Sequence, residues 1–347
     1  MNLVGVPADK IELPKGFDLH NHFRRDARTE AALRYTARCF DWALVMPNLS
    51  PNPVLTGADA ESYRNTIMEE AAQQDIRGFT PVMTIQITEA TTPEMIIAAR
   101  SAGVAAGKVY PLGVTTNSGN GMTITAMTKR MHAVWKAMSD AGMILCLHGE
   151  MPESAYCLDK ERDFLPTLRW LSQNFSSLKI VLEHVTTAEA VDTVLQLPRN
   201  VAATITAHHL KLTLNDVIGG SLDPHAFCKP VAQHPNDRQA LRHAATCGST
   251  KFFFGSDSAP HTSKAKHADG CAGIFSAPVA IETLVEVFEE QGKLEALSQF
   301  LTIGGVFYGL PTPSRTIQLH RKPYEVPRDI NGVKPYRAGE TLRWQVM

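Results

Sequence analysis

The chain has 347 residues, of which 44% are hydrophobic and 20% charged, a composition typical of globular proteins and not of disordered ones. Lys and Arg number 34 against 35 Asp and Glu, so the net charge of −1 gives no reason to expect binding to nucleic acid or to an anionic membrane surface. No apolar run reaches the roughly 20 residues of a membrane span.

Two further features indicate the compartment. The first sixteen residues lack the basic and apolar segments of a signal peptide. The six cysteines are scattered along the chain without a CxxC pair. We therefore expect a cytoplasmic protein whose thiols are reduced and mostly buried.

Short apolar segments alternate along the chain with longer amphipathic ones. Eight strands are predicted, at Phe17–Leu19, Trp42–Met46, Phe79–Ile85, Val104–Val109, Met143–Leu147, Ile180–Leu182, Val201–Ile205 and Phe252–Phe254. Apolar residues three and four positions apart predict helices between them, at Ala58–Gln74, Pro93–Ala102, Thr125–Ala141 and Pro166–Asn174. Eight strand-then-helix units are expected for an α/β protein with a (β/α)8 TIM barrel, although a doubly wound open sheet has the same local pattern.

Two regions interrupt this pattern. Residues 110–123 are rich in Gly, Ser, Thr and Asn, as expected for a mobile loop. The tail beyond Leu310 is rich in Pro and Arg and is too short for a second core. We predict a single domain over residues 1–347, with the barrel at about 16–310 and a C-terminal extension at 311–347 that packs on it as extended chain.

The first predicted strand ends in a histidine pair. His20 and His22 are two residues apart, so on a strand they share a face and can point at one metal ion. The chain has 13 histidines, and chance or a structural role explains an isolated HxH pair at least as well.

Other predicted strands also end in residues that bind metals or transfer protons. Strands four, five, six and eight end in Lys108, His148, His184 and Asp257. Each has a structural alternative, since a lysine can extend to solvent, a histidine can be a hydrogen-bonded core residue and an aspartate can cap the next helix. The carboxyl ends of barrel strands converge on one rim, so five strand ends with such residues indicate a shared site. The sequence therefore predicts a metal centre at the C-terminal ends of the strands.

These residues are similar to those of the amidohydrolase superfamily of metal-dependent hydrolases and, within it, of the dihydroorotases of the short bacterial type (class II). The resemblance extends from about Phe17 to Tyr336. It depends on the segments DLHNHFR, VMPN, GKVYP with TTNS after it, LHGE, LEH, GSDSAPH and CAG. Only about sixteen residues precede the first predicted strand, which favours the short type over relatives with a β-sandwich around the barrel.

The resemblance implies two zinc ions per subunit. His20, His22 and Asp257 would hold one ion, and His148 and His184 the other. Lys108 would bridge the ions after carboxylation by carbon dioxide to N6-carboxylysine. A lysine ammonium repels Zn²⁺, whereas its carbamate is an anion with two oxygens and suits metals roughly 3.5–4 Å apart. Zinc lowers the pKa of its bound water to about 7, so a hydroxide that bridges the two ions is expected as the nucleophile.

The same resemblance implies the reaction and the substrate contacts. The reaction is the reversible cyclisation of N-carbamoyl-L-aspartate to L-dihydroorotate, in de novo pyrimidine biosynthesis, with Asp257 as the catalytic residue that carries the proton to the ring nitrogen on opening. The positions that bind substrate correspond to Arg24, Asn48, His261, Ala272 and Lys229. Thr115 and Thr116 correspond to a mobile lid, and the resemblance suggests a homodimer.

One position departs from the pattern of the resemblance. The family commonly has HxHLRDG after the first strand, whereas here Arg25 replaces the acidic residue beside Arg24. This change leaves the ligands intact but puts the substrate preference in doubt. Another cyclic amidohydrolase, similar to hydantoinase or allantoinase, is the alternative, and a non-catalytic scaffold barrel is a third interpretation. His208 and His209 end the seventh strand and are expected to shape the core or the surroundings of the site, not to bind metal.

Overall fold

Eight parallel strands form the central sheet of the computed structural model, which describes residues 9–116 and 118–347. Each strand pairs with the next one in the chain, in the order β2 (Phe17–Asn21), β3 (Trp42–Val45), β4 (Thr80–Gln86), β5 (Ala106–Val109), β6 (Ile144–His148), β7 (Ile180–Glu183), β8 (Val201–Ile205) and β9 (Phe252–Phe254). Beyond β9, Ser258 forms a parallel bridge with Asn21, which brings the last strand back to the first. The predicted TIM barrel is confirmed.

The seam between β9 and β2 is held by backbone and side-chain hydrogen bonds. The Asp257 amide donates to the His20 carbonyl at 2.9 Å, and the His22 amide donates to the Ser258 carbonyl at 3.1 Å. The buried Asp18 carboxylate accepts from the amide and the hydroxyl of Ser256, both at 2.7 Å. Since a buried carboxylate is stable only when its oxygens are hydrogen-bonded, this cluster holds the two strands in one register.

Helices occupy the connections and follow the last strand. Their bounds are α1 (Arg28–Cys39), α2 (Gly57–Gln73), α3 (Pro93–Ser101), α4 (His132–Asp140), α5 (Lys160–Asn174), α6 (Ala188–Gln196), α7 (Leu214–Ile218), α8 (Pro235–Thr246), α9 (Ser263–Ala268), α10 (Ala280–Glu290) and α11 (Leu297–Tyr308). Threonine side chains cap the amino ends of α2, α3 and α6. In the part of the chain that the structure describes, no helix is both long enough and apolar enough to cross a bilayer.

Two predicted helices have different bounds in the structure. The helix predicted at Pro166–Asn174 begins earlier, at Lys160, so Pro166 lies inside α5. The apolar side of α5 is buried, which outweighs the lost backbone donor. The helix expected at Thr125–Ala141 is divided into a π-helical turn at Ala126–Arg130 and α4. The side chain of Trp135 donates to the Met127 carbonyl across this division at 2.8 Å.

The helix α11 packs closely against β2 and β9 because it contains two glycines. A Cβ atom on Gly305 would lie 2.1 Å from the ring of Phe17, and one on Gly304 would lie 2.3 Å from the side chain of Leu19. Phe307 of the same helix packs in one apolar cluster with Phe17 and Leu19. The glycines therefore let the helix backbone approach the barrel wall.

The tail forms short strands on the barrel. β1 (Lys10–Pro14), which was not predicted, pairs with β10 (Thr316–His320), and β10 also pairs with β13 (Gln345–Val346). β11 (Tyr324–Glu325) and β12 (Thr341–Leu342) form a second small sheet. The indole of Trp344 is buried and donates to Glu289 of α10 at 3.4 Å. Phe17–Asn21 is the first strand of the barrel as predicted, although β1 precedes it in the chain. The division of the chain into barrel and extension within one domain stays a prediction.

All six cysteines are free. Cys39, Cys146 and Cys228 are buried, whereas Cys157 and Cys247 are exposed. The expectation of mostly buried thiols therefore holds for only half of them.

Candidate metal centre

The six side chains predicted to bind metal lie at the carboxyl ends of five barrel strands. They are His20 in β2 and His22 after it, Lys108 in β5, His148 at the end of β6, His184 after β7 and Asp257 after β9. None is more than 7% exposed. The four histidines and Asp257 line one cavity together with Arg24, Asn48, Tyr110, Thr115, Thr116, Lys229, Ala259, His261, Ala272 and Gly273.

The two-residue repeat of a strand explains why some of these side chains point inward. Ala106 of β5 and Cys146 of β6 belong to the apolar cluster inside the barrel. Lys108 and His148 lie two residues further along the same strands, so they point to the same side. The polar centre therefore continues the apolar interior at its carboxyl end.

Three residues of the site have left-handed backbone conformations. The φ angles are 69° at Arg24, 44° at His184 and 45° at Asp257. Such angles are costly for residues other than glycine and are concentrated at functional sites, where the surrounding structure holds them. Here they turn the chain sharply at the ends of three strands.

His20, His22 and Asp257 form a compact group of possible metal ligands. The Nε2 atoms of the two histidines are 3.3 Å apart, and each lies 3.2 Å from Oδ1 of Asp257. Ligand atoms of a tetrahedral zinc ion with bonds of roughly 2.0–2.2 Å are about 3.3–3.6 Å apart. The spacing of these three atoms fits such an ion.

A second group surrounds Lys108. Its Nζ atom contacts Glu183, which also lies 3.1 Å from Nδ1 of His20. The ring centroids of His148 and His184 are 4.8 Å apart, and Nδ1 of His184 has no hydrogen-bond partner among the described residues. Buried polar atoms without partners are rare in folded proteins, so this nitrogen fits a ligand of an ion. His148 Nε2 lies 2.6 Å from Glu150, a contact that orients the ring.

Burial keeps the histidines of the centre neutral. It lowers the pKa of His22 to about 3 and that of His184 well below its ordinary value. A neutral imidazole has a free lone pair, which is the form that binds a metal.

The two other ligands are shifted by different causes. Burial alone would raise the pKa of Asp257, but the charge and hydrogen bonds of His20 and the hydrogen bond from His22 lower it well below its ordinary value. Burial lowers the pKa of Lys108 to about 7, although the electrostatic effects of Cys146 and Asp257 oppose this shift. A large part of Lys108 is therefore the neutral amine at pH 7, which is the form that reacts with carbon dioxide.

Arg24 and His261 lie side by side in the cavity. The Arg24 guanidinium donates to Nε2 of His261 at 3.1 Å and to the Pro260 carbonyl at 3.3 Å. Burial and the charge of Arg24 lower the pKa of His261 to about 2, so it accepts this bond as a neutral ring. Arg24 is only 8% exposed, and it forms no ion pair with a carboxylate of the described residues. A buried guanidinium in this state suits an anionic ligand.

The loop of residues 110–123 contacts the cavity through two threonines. The Thr116 hydroxyl lies 3.2 Å from the Ala272 amide, which donates to it, and Asn48 donates to the Thr116 carbonyl at 3.5 Å. The Thr115 amide donates to the Ser118 hydroxyl at 3.0 Å. Thr115, Thr116 and Ala272 therefore lie at the cavity together, as does Lys229.

Several residues of the site were not singled out from the sequence. Tyr110, Ala259 and Gly273 line the cavity, and Glu150 and Glu183 contact the ligand histidines. All five occur inside the segments GKVYP, LHGE, LEH, GSDSAPH and CAG, so the resemblance contained the signal without assigning a role. Arg25 lines a separate outer cavity beside Arg24 and not the inner one.

His208, His209 and Cys228 also lie close enough together to hold an ion. Both ring nitrogens of His209 have other partners, however, at 3.0 Å from the Thr206 hydroxyl and 3.1 Å from the Pro230 carbonyl. Burial also raises the pKa of the Cys228 thiol, which disfavours the thiolate. We assign no metal to this group.

Comparisons with known proteins place these observations in context. No protein-family model matches the chain. A dihydroorotase from Teredinibacter turnerae is 43% identical over 346 residues, which cover 97% of this chain and 99% of the relative. The crystal structure of a Saccharomyces cerevisiae dihydroorotase in complex with 5-fluoroorotic acid has a TM-score of 0.90 and 35% identity, covering 98% of this chain and 99% of that one. A dihydroorotase structure from Campylobacter jejuni has a TM-score of 0.86 and 34% identity over 100% of both chains.

Proposed function

We propose that this chain, which belongs to the dihydroorotase family and is a dihydroorotase, uses a centre of two zinc ions. The reaction would be the reversible cyclisation of N-carbamoyl-L-aspartate to L-dihydroorotate. The observation that carries the proposal is the convergence of four neutral histidines and an aspartate on one cavity, with the buried Lys108 5.0 Å from the ring of Tyr110 that lines it. This centre is consistent with a hydrolase of the amidohydrolase superfamily that acts in pyrimidine biosynthesis.

The donor set supports a particular distribution of ligands. His20, His22 and Asp257 would hold one ion, and His148 and His184 the other, with carboxylated Lys108 between them. When bound, the two ions polarise a carbonyl oxygen and generate a hydroxide nucleophile at neutral pH. Glu150 supports this arrangement because its carboxylate fixes the ring of His148.

The residues at the other end of the cavity would orient the substrate. Both compounds of the reaction contain a carboxylate, and the Arg24 guanidinium beside the neutral ring of His261 would pair with it. Asn48, Lys229 and the main chain of Ala272 would complete the site, with the threonines of the loop over the ring. Holding the carboxylate at one end aligns the reactive amide with the ligand histidines at the other.

Asp257 would act as the catalytic residue. Its low pKa makes it a carboxylate at neutral pH, so it can accept the proton of the attacking hydroxide. It would then pass this proton to the ring nitrogen as the amide bond breaks. In the direction of ring closure the same carboxylate would take the proton from the nitrogen and return it to the departing oxygen.

The alternative functions have less support. A hydantoinase-like or allantoinase-like enzyme acts on substrates without this carboxylate, which would leave the buried Arg24 guanidinium without an anionic partner. A scaffold barrel would have no need of the ligand set. We also propose that the enzyme is cytoplasmic, on its scattered cysteines, and, on the resemblance alone, that it is a homodimer whose loop with Thr115 and Thr116 moves as a lid.

One experiment tests the proposal directly. Ring opening of L-dihydroorotate is monitored through the loss of ultraviolet absorbance, and the zinc content of the same protein is measured alongside. We expect turnover with about two metals per chain, lost with a chelator and restored by zinc and bicarbonate. Bound metal without turnover of dihydroorotate would favour another cyclic amide as substrate.

Substitution of Asp257 tests its role. Asp257→Asn should lower kcat by about 10²–10⁴-fold while the fold is kept, because the amide cannot accept the proton. A near-normal rate at full metal content would mean that another group is the base.

A further inference from the structure

The hydroxyl of Tyr110 has no hydrogen-bond partner among the described residues, although the residue is only 2% exposed. Tyr110 follows β5 directly and lines the cavity of the candidate metal centre. A buried hydroxyl without a partner destabilises a protein, and buried polar groups are almost always paired. A cavity that receives an unpaired hydroxyl therefore suits a ligand with a matching acceptor.

The neighbours of the Tyr110 ring locate it within the cavity. The Nζ atom of Lys108 lies 5.0 Å from the centroid of the Tyr110 ring, and the ring of His148 lies 6.4 Å from it. Tyr110 therefore stands at the end of the cavity that holds the candidate metal ligands. Arg24 hydrogen-bonds His261 and the Pro260 carbonyl, and among the described residues it forms no hydrogen bond with Tyr110 or Lys108. Because both residues line this cavity, a substrate with its carboxylate at Arg24 would place its reactive amide among the candidate metal ligands, within reach of Tyr110.

We propose that the Tyr110 hydroxyl is a further catalytic residue, which donates a hydrogen bond to the carbonyl oxygen of the ring amide that opens. This inference rests on the proposed function and adds one residue to it. A phenol is neutral near pH 7 and donates one hydrogen bond without giving up its proton. Negative charge grows on the carbonyl oxygen as the nucleophile attacks, so the bond strengthens toward the transition state. The benefit should therefore appear mainly in kcat.

The variant Tyr110→Phe removes only the hydroxyl and keeps the ring against Lys108. Tyr308→Phe is the matched control, because the Tyr308 hydroxyl contacts Cys146 Sγ at 3.2 Å and does not line this cavity. Both variants are compared with the unsubstituted enzyme in kcat and KM for L-dihydroorotate, in zinc content and in the Kd of 5-fluoroorotate measured by calorimetry. The role of Tyr110 is judged from the ratio of the kcat of the variant to that of the unsubstituted enzyme. The proposed function is judged separately, since it fails only if the unsubstituted, metal-loaded enzyme does not turn over.

We expect Tyr110→Phe to keep its zinc and to lose about 10- to 100-fold in kcat, with KM changed by less than about threefold. The Kd of 5-fluoroorotate should rise by less than about tenfold, since a planar analogue does not develop the full charge, and Tyr308→Phe should match the unsubstituted enzyme. A kcat within twofold of the unsubstituted value would overturn the proposal. Loss of zinc in parallel with activity would overturn it as well, because the hydroxyl would then act on the metal ligands and not on the substrate.

Discussion

At the scale of single residues, burial determines which form of each group is available for chemistry. Lys108 is fully buried, and the free energy of desolvating its ammonium lowers its pKa to about 7. The amine that would react with carbon dioxide in the proposed centre is therefore present at physiological pH. An exposed lysine, with a pKa near 10.4, would be almost entirely ammonium under the same conditions.

The pH dependence of reassembly tests this state of Lys108. Metal-free enzyme is mixed with zinc at a fixed concentration of dissolved carbon dioxide, and the recovery of activity is timed between pH 6 and 8.5. With a pKa of about 7, half of Lys108 is amine near pH 7, so the amine fraction rises steeply up to that pH and levels off roughly one unit above it; the rate should do the same. A rate that keeps rising about tenfold per pH unit up to pH 8.5 would indicate an ordinary lysine. Lys108→Ala is the control and should not reassemble a metal pair.

Arg25 gives a second prediction at this scale. Its guanidinium lies 4.9 Å from the centroid of the Tyr63 ring and lines the outer cavity, so it contributes positive charge near the mouth of the site without touching the inner cavity. Arg25→Asp should raise KM for the anionic substrate by about 2- to 10-fold at low ionic strength and leave kcat unchanged. The difference should shrink with added salt, because exposed charges are screened.

The control for this substitution is Arg77→Asp, an exposed arginine that precedes the amino end of β4 and lies away from the carboxyl ends of the strands. A changed kcat in Arg25→Asp, or an effect that salt does not reduce, would mean that Arg25 acts on the bound substrate and sets its preference.

At the scale of elements, close packing overrides helix propensity in α11. Glycine is a poor helix former, and replacing it with alanine in an exposed helix usually gains about 1 kcal/mol. At Gly305 the added methyl group would overlap the ring of Phe17. The two effects have opposite signs, and the overlap of buried atoms is the larger one.

We expect Gly305→Ala to lower the free energy of unfolding by about 1–3 kcal/mol. Val306→Ala is the matched control on the same helix, since Val306 is 72% exposed and should change stability by less than about 0.5 kcal/mol. Urea unfolding followed by circular dichroism measures both. Stabilisation by Gly305→Ala would contradict the packing of α11 against β2.

At the scale of the whole molecule, the centre connects strands that are distant in the chain. The candidate ligands come from β2, β5, β6, β7 and β9, so bound ions would link more than half of the barrel. Ions that bind only the folded chain stabilise it in proportion to the logarithm of their concentration over Kd. The same ions would also hold the buried side chains of the candidate ligands in place.

Removal of the metals should therefore lower Tm by about 5 °C or more, reversibly on addition of zinc and bicarbonate. Differential scanning calorimetry of the enzyme with and without chelator, with zinc measured in each sample, checks this. Lys108→Ala should have a Tm that the chelator does not change. An unchanged Tm in fully metal-free enzyme would mean that the site is rigid without its ions.

Much of the fold and of the candidate site was predictable from local patterns in the sequence. Strand and helix periodicity is a property of a few consecutive residues, so all eight barrel strands were identified to within about two residues at either end. The polar residues at the strand ends follow from the same reasoning, because the two-residue repeat and the common rim of a barrel need no knowledge of packing. His20, Lys108 and His148 could be placed in this way.

Other features depended on contacts between distant parts of the chain. The seam at Asp18 and Ser256, the pairing of β1 with β10 and the continuation of α5 through Pro166 result from packing partners that no local pattern specifies. The 3.2–3.3 Å spacing of the ligand atoms and the unpaired hydroxyl of Tyr110 belong to the same class. The sequence by itself determined which residue types stand at the strand ends, because a strand and the residues that follow it are consecutive in the chain. Only the tertiary structure decided which atoms are buried, paired or left for a ligand, because burial and pairing arise when strands distant in sequence close into one barrel.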